Sequence, residues 1–299
     1  MDTNKNRVTP RVAAIHDLSG FGRSSLAVVL PVLSVMGIQV CPLPTALLST
    51  QTSGFDNYYF LDLTESMKEI ISHWITLGIQ FNAVYSGFLG SADQISIVSD
   101  FIDNCRKTTE DGKMLTLIDP VLGDDGEPYG PVDKKMIDGM RELVKKADII
   151  TPNYTEAALL LNKPVKQSSN IGEIKDCLME LADMGPQKVV ITSIPVQGRE
   201  RLVSTYFFDK NVRTFWKVEC EHLPGSFSGT GDMFASIIVG SLLRGTSFPE
   251  AVDRAVQSVF KAIQETCQRN IPEREGVLIE SVLNTLVEPL HVNTYKVVN

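Results

Sequence analysis

The clearest candidate for chemistry is the segment 225–234, Gly-Ser-Phe-Ser-Gly-Thr-Gly-Asp-Met-Phe, which stands directly before an apolar stretch with helical spacing. Its glycines let the backbone approach a ligand closely, and a helix N-terminus offers unpaired N–H groups with a partial positive charge. The segment therefore predicts an anion-binding turn. Asp232 falls in the first turn of the helix, where a carboxylate can act as a base or simply stabilise the helix start. The spacing alone leaves both interpretations open.

Small and acidic polar residues also follow five predicted strands. They occupy residues 16–22, 86–88, 119–124, 151–156 and 192–193. Ligands of open parallel sheets bind at the carboxyl ends of the strands, so these residues are expected to meet at one edge of the sheet. For Asp119 and Asp124 the alternative is ordinary turn chemistry around Pro120 and Gly123.

The elements that must position these residues alternate between strand and helix, which favours a mostly parallel sheet with helices on both faces. The predicted strands are 11–15, 38–43, 83–85, 114–118, 148–150 and 188–191, and the predicted helices are 24–36, 63–77, 92–107, 131–145 and 171–184. Runs 202–208 and 213–218 predict an antiparallel hairpin, and residues 231–244, 249–269 and 279–286 predict helices. The fold class is α/β, and residues 1–299 are interpreted as one domain because no repeat or linker interrupts the pattern.

Composition and charge exclude several classes of protein. The 299 residues include 28 Lys and Arg against 36 Asp and Glu, and the net charge of −8 argues against a nucleic-acid-binding surface. The most apolar stretch, 26–38, is too short to cross a membrane, and the N-terminus lacks the apolar run of a secretory signal. We therefore expect a cytoplasmic protein. Five widely spaced cysteines predict reduced thiols, and four scattered histidines predict no imidazole metal site.

Four motifs in order resemble the ribokinase superfamily and, within it, the pyridoxal (vitamin B6) kinases. They are Gly-Thr-Gly-Asp at 229–232, Asp-Pro-Val-Leu-Gly-Asp at 119–124, Thr-Pro-Asn-x-x-Glu at 151–156, and Met-Gly-Pro-x-x-Val-Val-Ile-Thr-Ser at 184–193. The resemblance runs from about residue 11 to beyond 260. It implies a three-layer ribokinase-like fold, ATP-dependent phosphorylation of the 5'-hydroxymethyl group of pyridoxal, pyridoxamine or pyridoxine, and a homodimer. The hairpin and the apolar first helix are expected to offer surface to the second subunit.

The same resemblance implies a role for individual residues. Asp232 would be the base, beside Gly229, Thr230 and Gly231, which hold the transferring phosphate. The implied nucleotide-binding residues are Asp119, Asp124, Asn153, Glu156, Thr192, Ser193, Gly229 and Gly231, and the implied substrate-binding residues are Asp17, Ser19, Thr52, Phe88, Tyr129 and Asp232. Asp119, Thr151 and Glu156 would serve Mg²⁺ and a monovalent cation, K⁺ or Na⁺. Acids spread over several strand ends suit a phosphate-bound Mg²⁺, which keeps water and phosphate oxygens as ligands.

Departures from the pattern keep two other functions open. Asp17 stands where a serine commonly contacts the pyridine ring, and Phe88 replaces a tyrosine. Asp-x-Ser-Gly at 17–20 is similar to the hydroxymethylpyrimidine kinases of thiamine metabolism, which form one alternative. A catalytically silent module that binds B6 or a nucleotide forms the other. For Asp17 we weigh a charged contact to the substrate against a role in bonding the glycine loop.

Overall fold

The computed structural model describes residues 9–109, 114–164, 170–196, 198–199, 201–287 and 293–298. Within these residues a long twisted sheet divides the molecule, and a two-stranded ribbon lies beside it. The strands are β1 (Arg11–Ser19), β2 (Gln39–Leu48), β3 (Phe60–Asp62), β4 (Ala83–Ser86), β5 (Leu115–Ile118), β6 (Gly123–Asp124), β7 (Glu127–Pro128), β8 (Ile149–Ile150), β9 (Lys188–Pro195), β10 (Leu202–Asp209), β11 (Thr214–Glu221) and β12 (Lys296–Val297). The N-terminal residues 1–8, on which the expectation about a secretory signal rests, lie outside the described ranges.

The large sheet has the order β12-β11-β10-β9-β8-β5-β4-β1-β2-β3. Every pairing from β9 through β8, β5, β4 and β1 to β2 is parallel, whereas β3 and the β10–β12 flank pair antiparallel. The parallel centre confirms the predicted fold class, and β10 and β11 confirm the predicted hairpin. All parallel strands end at the same edge, where the polar segments follow them.

Helices cover both faces of the sheet. They are α1 (Leu26–Val35), α2 (Thr64–Thr76), α3 (Ala92–Thr108), α4 (Lys134–Val144), α5 (Tyr154–Leu161), α6 (Ile171–Asp183), α7 (Thr230–Leu243) and α8 (Phe248–Gln268). Alternate residues of β1 enter two separate cores, Ala13 and Ile15 packing with α2 to α6, and Val12 and Ala14 with α1, α7 and α8. This is the three-layer arrangement that the resemblance implies. In the described part of the chain, none of the helices combines the length and apolarity that a bilayer crossing requires.

Several local predictions need correction. The strand β9 does not end at Ile191 but continues to Pro195, so Thr192 and Ser193 belong to the strand rather than to a loop. The first strand does not end at Ile15 but continues to Ser19, so His16 and Asp17 belong to the strand rather than to a loop. The helix α5 was not anticipated. The stretch 279–286 forms two 3₁₀ turns, Ile279–Ser281 and Leu283–Leu286, instead of an α-helix. The Ser281 and Thr285 hydroxyls each donate to the carbonyl three residues earlier, at 2.7 Å, which competes with helical bonding.

Much of the apolar surface expected to contact a second subunit is buried within this chain. The apolar residues of α1 are buried in the core against α7, and Phe207 and Trp216 of the hairpin are buried as well. The large apolar content of these segments is explained by burial within one chain. The homodimer and the single domain over 1–299 stay predictions.

Candidate active site

A glycine turn precedes α7 and leaves the helix N-terminus open. Gly229 has φ +85°, and a Cβ added there would lie 2.4 Å from the carbonyl oxygen of Arg23. Both the left-handed backbone and the close approach therefore require glycine. A Cβ at Gly231 would meet only Asp119 Oδ2, at 3.7 Å, so the first turn of α7 lies directly beside that carboxylate. The Thr230 hydroxyl donates to the Phe227 carbonyl at 3.1 Å and ties the turn to the preceding loop.

The Asp232 carboxylate is held from outside its own helix. Its Oδ2 accepts the Ser25 backbone N–H at 2.7 Å, and its Oδ1 lies 3.6 Å from Nδ1 of His16. Gly229, rather than Asp232, is the N-cap residue of α7. This geometry favours a carboxylate presented to the cleft over one that merely caps the helix.

Asp17 is buried beside Asp232. Its two carboxylate oxygens accept hydrogen bonds from the hydroxyls of Ser25 and, at 3.3 Å, Ser19. Burial raises the pKa of Asp17, the Ser25 hydroxyl opposes that shift, and the Asp232 charge adds to it. The β1–β2 register shifts between His16 and Leu18, and such a bulge lets two consecutive side chains approach the same group.

A stability measurement tests whether the buried Asp17 carboxyl group destabilises the folded protein when it is charged. Because the pKa is raised in the folded state, the native protein holds this proton above pH values at which the unfolded chain has lost it. The free energy of unfolding therefore falls as pH rises. At about pH 8 we expect the free energy of unfolding of Asp17→Asn to be about 1 kcal/mol higher than that of wild type. We expect this difference to shrink towards about pH 4. Urea unfolding of the ligand-free protein measures it. An advantage independent of pH would contradict the burial of a charge at this position.

Two more buried carboxyls follow β5 and β8. Asp119 Oδ1 accepts the Thr151 hydroxyl at 2.9 Å. Burial, reinforced by the Asp232 charge and opposed by Thr151, raises the pKa of Asp119 to about 7. Burial and the Asp119 charge raise the pKa of Glu156 well above its usual range, against two backbone N–H groups that lower it. The cleft therefore concentrates acidic groups that are poised for cationic ligands.

Asn153 and Glu156 are engaged in the start of α5. Asn153 Oδ1 accepts the Glu156 N–H and Glu156 Oε2 accepts the Asn153 N–H, both at 2.8 Å, which is a capping box. Glu156 Oε1 accepts the Leu122 N–H at 3.1 Å, and Asn153 Nδ2 donates to the Gly123 carbonyl at 2.8 Å and to Asp124 at 3.5 Å. These bonds fix the loop after β5 against the loop after β8.

The other residues implied by the resemblance differ in whether they lie near Asp119, Asn153 and Glu156. Tyr129 is 41% exposed, and its pKa is raised by partial burial and by carboxylates of which Glu156 is the foremost, so it borders the acidic cleft. Thr192 forms a bridge to Asn153. Phe88 is half-buried, with its carbonyl accepting the Thr45 hydroxyl. Thr52 and Ser193 are exposed. Tyr129 and Thr192 therefore border the acidic cleft, and the roles of all five residues stay predictions.

Sequence reasoning missed several residues that build the site. His16 lies in the predicted strand-end segment 16–22, but its type and spacing indicated neither a metal ligand nor a contact to Asp232. Ser25 owes its contacts to a φ of +51°, which nothing in its sequence context indicates. Gln51 is buried, accepts the Ser228 hydroxyl at 3.1 Å and donates to the Arg274 carbonyl at 2.8 Å. It thereby connects the loop after β2 to the glycine turn.

The oxygen atoms of Asp119 and Thr151 suit a cation whose remaining ligands come from a bound phosphate and water. Among the described residues no group of three or more His, Cys, Asp or Glu side chains is arranged to enclose a metal ion. Glu156 is already bonded through both oxygens, whereas Asp119 Oδ2 lies beside the open N-terminus of α7. Asp119 and Thr151 can therefore supply part of a Mg²⁺ shell that phosphate oxygens and water complete.

A mostly parallel three-layer fold, with a glycine turn, a helix N-terminus and an outward-held aspartate at the strand ends, defines a ribokinase-like kinase. The phosphomethylpyrimidine kinase family model matches residues 30–276. A Bacteroides thetaiotaomicron structure provisionally named phosphomethylpyrimidine kinase is 46% identical over 98% of this chain and 99% of that one, with a TM-score of 0.92, and a second crystal form of it contains pyridoxal. Lactobacillus plantarum pyridoxal kinase is 30% identical over 94% and 97%, with a TM-score of 0.84. Arabidopsis thaliana pyridoxal kinase is 26% identical over 89% of this chain and 84% of its own.

The chain belongs to the phosphomethylpyrimidine kinase family, in the branch that contains the pyridoxal kinases. The resemblance drawn from the four motifs is confirmed, and so is the prediction of kinase activity. The glycine turn and Asp232 lie within the matched residues, whereas His16, Asp17 and Ser25 precede them.

Proposed function

We propose that this protein transfers the γ-phosphoryl group of ATP to the 5'-hydroxymethyl group of a B6 vitamer. The observation that carries the proposal is the Asp232 carboxylate, held by Ser25 and faced by His16 next to an open helix N-terminus. The 46% identical relative that was crystallised with pyridoxal supports a pyridine alcohol as the acceptor.

The transfer follows from positioning and charge. Asp232 accepts the proton of the substrate hydroxymethyl group, which strengthens the nucleophile, as the substrate oxygen bonds to the γ-phosphorus and the bond from that phosphorus to the ADP leaving group breaks. The backbone N–H groups at Gly229, Thr230 and Gly231 and the positive end of α7 stabilise the charge on the transferring phosphoryl group. Phosphoryl transfer requires little covalent chemistry from the protein. A base and a phosphate-binding turn therefore provide the kinds of interaction that the reaction needs.

The nucleotide and cation sites complete the proposal. Asp119, Asp124, Asn153 and Glu156 border the polyphosphate, and Thr192 and Ser193 on β9 contact its outer part. Mg²⁺, when bound, neutralises phosphate charge, with Asp119 and Thr151 near it and Glu156 fixing the adjoining loop. A monovalent cation, K⁺ or Na⁺, is proposed beside Thr151. The homodimer and the cytoplasmic location belong to the same proposal.

The vitamer ring is proposed to bind between β1 and the loop after β4. Asp17, Ser19, Thr52, Phe88 and Tyr129 are the residues assigned to it. The carboxyl of Asp17 is already bonded by two hydroxyls, so a ring hydroxyl or amine would join an existing network rather than an isolated charge.

Hydroxymethylpyrimidine is the second candidate substrate, because the matching family model describes a phosphomethylpyrimidine kinase. The two acceptors are heteroaromatic alcohols, and the same base and phosphate site would serve both. Ring contacts alone distinguish them.

A parallel assay separates the candidates. ADP formation is followed with pyridoxal, pyridoxine, pyridoxamine and hydroxymethylpyrimidine, and the best vitamer is expected to exceed hydroxymethylpyrimidine by about tenfold or more in kcat/KM, the effect of one polar contact. Asp232→Asn prepared in the same way controls for contaminating kinases. Turnover of hydroxymethylpyrimidine alone would establish the second function, and binding without ADP formation for all four would establish a silent module.

A further inference from the structure

His16 is a buried polar group without an evident structural purpose. Its side chain is fully buried in β1, and neither ring nitrogen has a hydrogen-bond partner among the described residues. Buried polar atoms are nearly always satisfied in folded proteins, and exceptions concentrate where function requires them. An apolar residue would fill this position at lower cost.

The fold fixes the direction of the ring. Tyr85 packs against it edge to face, with centroids 4.4 Å apart at 76°, and the Tyr85 hydroxyl donates to the Asp232 carbonyl at 3.4 Å. On the other side, a Cβ at Gly87 would lie 2.3 Å from His16 Nδ1, so glycine leaves the space that the ring occupies. The consequence is that Nδ1, 3.6 Å from Asp232 Oδ1, is the ring atom that faces the carboxylate.

Ser25 holds the other oxygen of the same carboxylate. Its N–H reaches Asp232 Oδ2 at 2.7 Å from a residue with φ +51° and ψ −129°, a conformation that non-glycine residues rarely adopt. Strained backbone of this kind persists where the surrounding structure enforces it, commonly at functional sites. Asp232 is thus contacted at both oxygens by groups from outside α7.

We propose that His16 is a positioning residue for phosphoryl transfer, which holds the Asp232 carboxylate towards the substrate hydroxyl through its Nδ1 edge. The inference rests on the proposed function. His16 touches the base rather than the reacting atoms, and its effect is to restrict the rotation of Asp232. Misplacement of a reacting group by about 1 Å can cost about 100-fold in rate.

Asparagine and glutamine provide the test, because the asparagine amide occupies the place of Nδ1 and the glutamine amide that of Nε2. We expect His16→Asn to stay within about fivefold of wild-type kcat, and His16→Gln and His16→Leu to lose about 10- to 100-fold, with KM for ATP and vitamer nearly unchanged. Gly87→Ala, which displaces the ring without removing it, should lower kcat similarly. His73→Asn, on the exposed side of α2, is the matched control. Equal losses for the Asn and Gln variants, or a wild-type kcat for His16→Leu, would overturn the proposal.

A second measurement does not depend on activity or on the folding of the His16 variants. The imidazole ¹⁵N signals are recorded in wild type and in Asp232→Asn. We expect the Nδ1 signal of His16 to move while those of His73 and His222 do not. An unmoved signal would overturn the proposal even in an active enzyme. If wild type phosphorylates no vitamer, the proposed function fails, and the ¹⁵N comparison still decides whether His16 holds Asp232.

Discussion

Replacement of Asp232 by Asn is expected to lower kcat by about 10²- to 10⁴-fold while KM for ATP stays nearly constant. The amide keeps the shape of the side chain and can still accept the Ser25 N–H, so the turn before α7 should persist. The lost property is the capacity to take a proton from the substrate hydroxyl. Steady-state kinetics at saturating Mg²⁺ and ATP measures the effect.

Asp93→Asn is the matched control for that substitution. Asp93 lies in the first turn of α3, as Asp232 lies in the first turn of α7, so both substitutions remove a favourable charge from a helix N-terminus. Only the Asp232 variant removes a base from the cleft. Comparable kcat values for the two variants would show that Asp232 supports the helix rather than the reaction.

Gly229→Ala is expected to lower kcat/KM for ATP by about 100-fold or more, the scale of losing preorganised N–H donors to a transferring group. The new Cβ would lie 2.4 Å from the Arg23 carbonyl oxygen and force the turn away from the loop that carries Ser25. The N–H groups of Gly229 and its neighbours would then no longer converge on one anion.

Gly245→Ala separates the clash from the conformational cost. Gly245 has φ +84°, almost the value at Gly229, but a Cβ there meets nothing within 4 Å. Both variants should lose roughly 1–2 kcal/mol of stability from the left-handed backbone. Only Gly229→Ala should also lose catalysis. Full activity in a folded Gly229→Ala protein would remove the anion-binding role of the turn.

The sheet and the position of its site could be predicted because they depend on local and periodic signals. Alternating strand and helix patterns determine the parallel centre, and the Gly-Thr-Gly-Asp turn marks the start of α7. The contacts to Asp232 could not be predicted in this way. They join residues 16, 25 and 232, and they depend on a register shift in β1 and on a positive φ at Ser25, neither of which has a local signature.

For Glu156 and Asn153, the sequence indicated the right residues but not the use that the structure makes of them. The sequence signalled acidic residues at a strand end, and the structure shows their side chains bonded to each other's backbone at the start of α5. A capping box has the same residue types as a ligand site, so the pattern could not separate the two uses. The incorrect prediction of a helix at 279–286 has a similar cause, because buried residues three and four positions apart fit both an α-helix and successive 3₁₀ turns.

The fate of the γ-phosphoryl group under single-turnover conditions tests the central claim most directly. Enzyme in excess over γ-labelled ATP is mixed with pyridoxal, quenched at intervals, and the labelled products are separated. We expect the label to appear in pyridoxal 5'-phosphate with wild type and to stay in ATP with Asp232→Asn over the same interval. Label released only as inorganic phosphate, or equal ester formation by both proteins, would contradict the account.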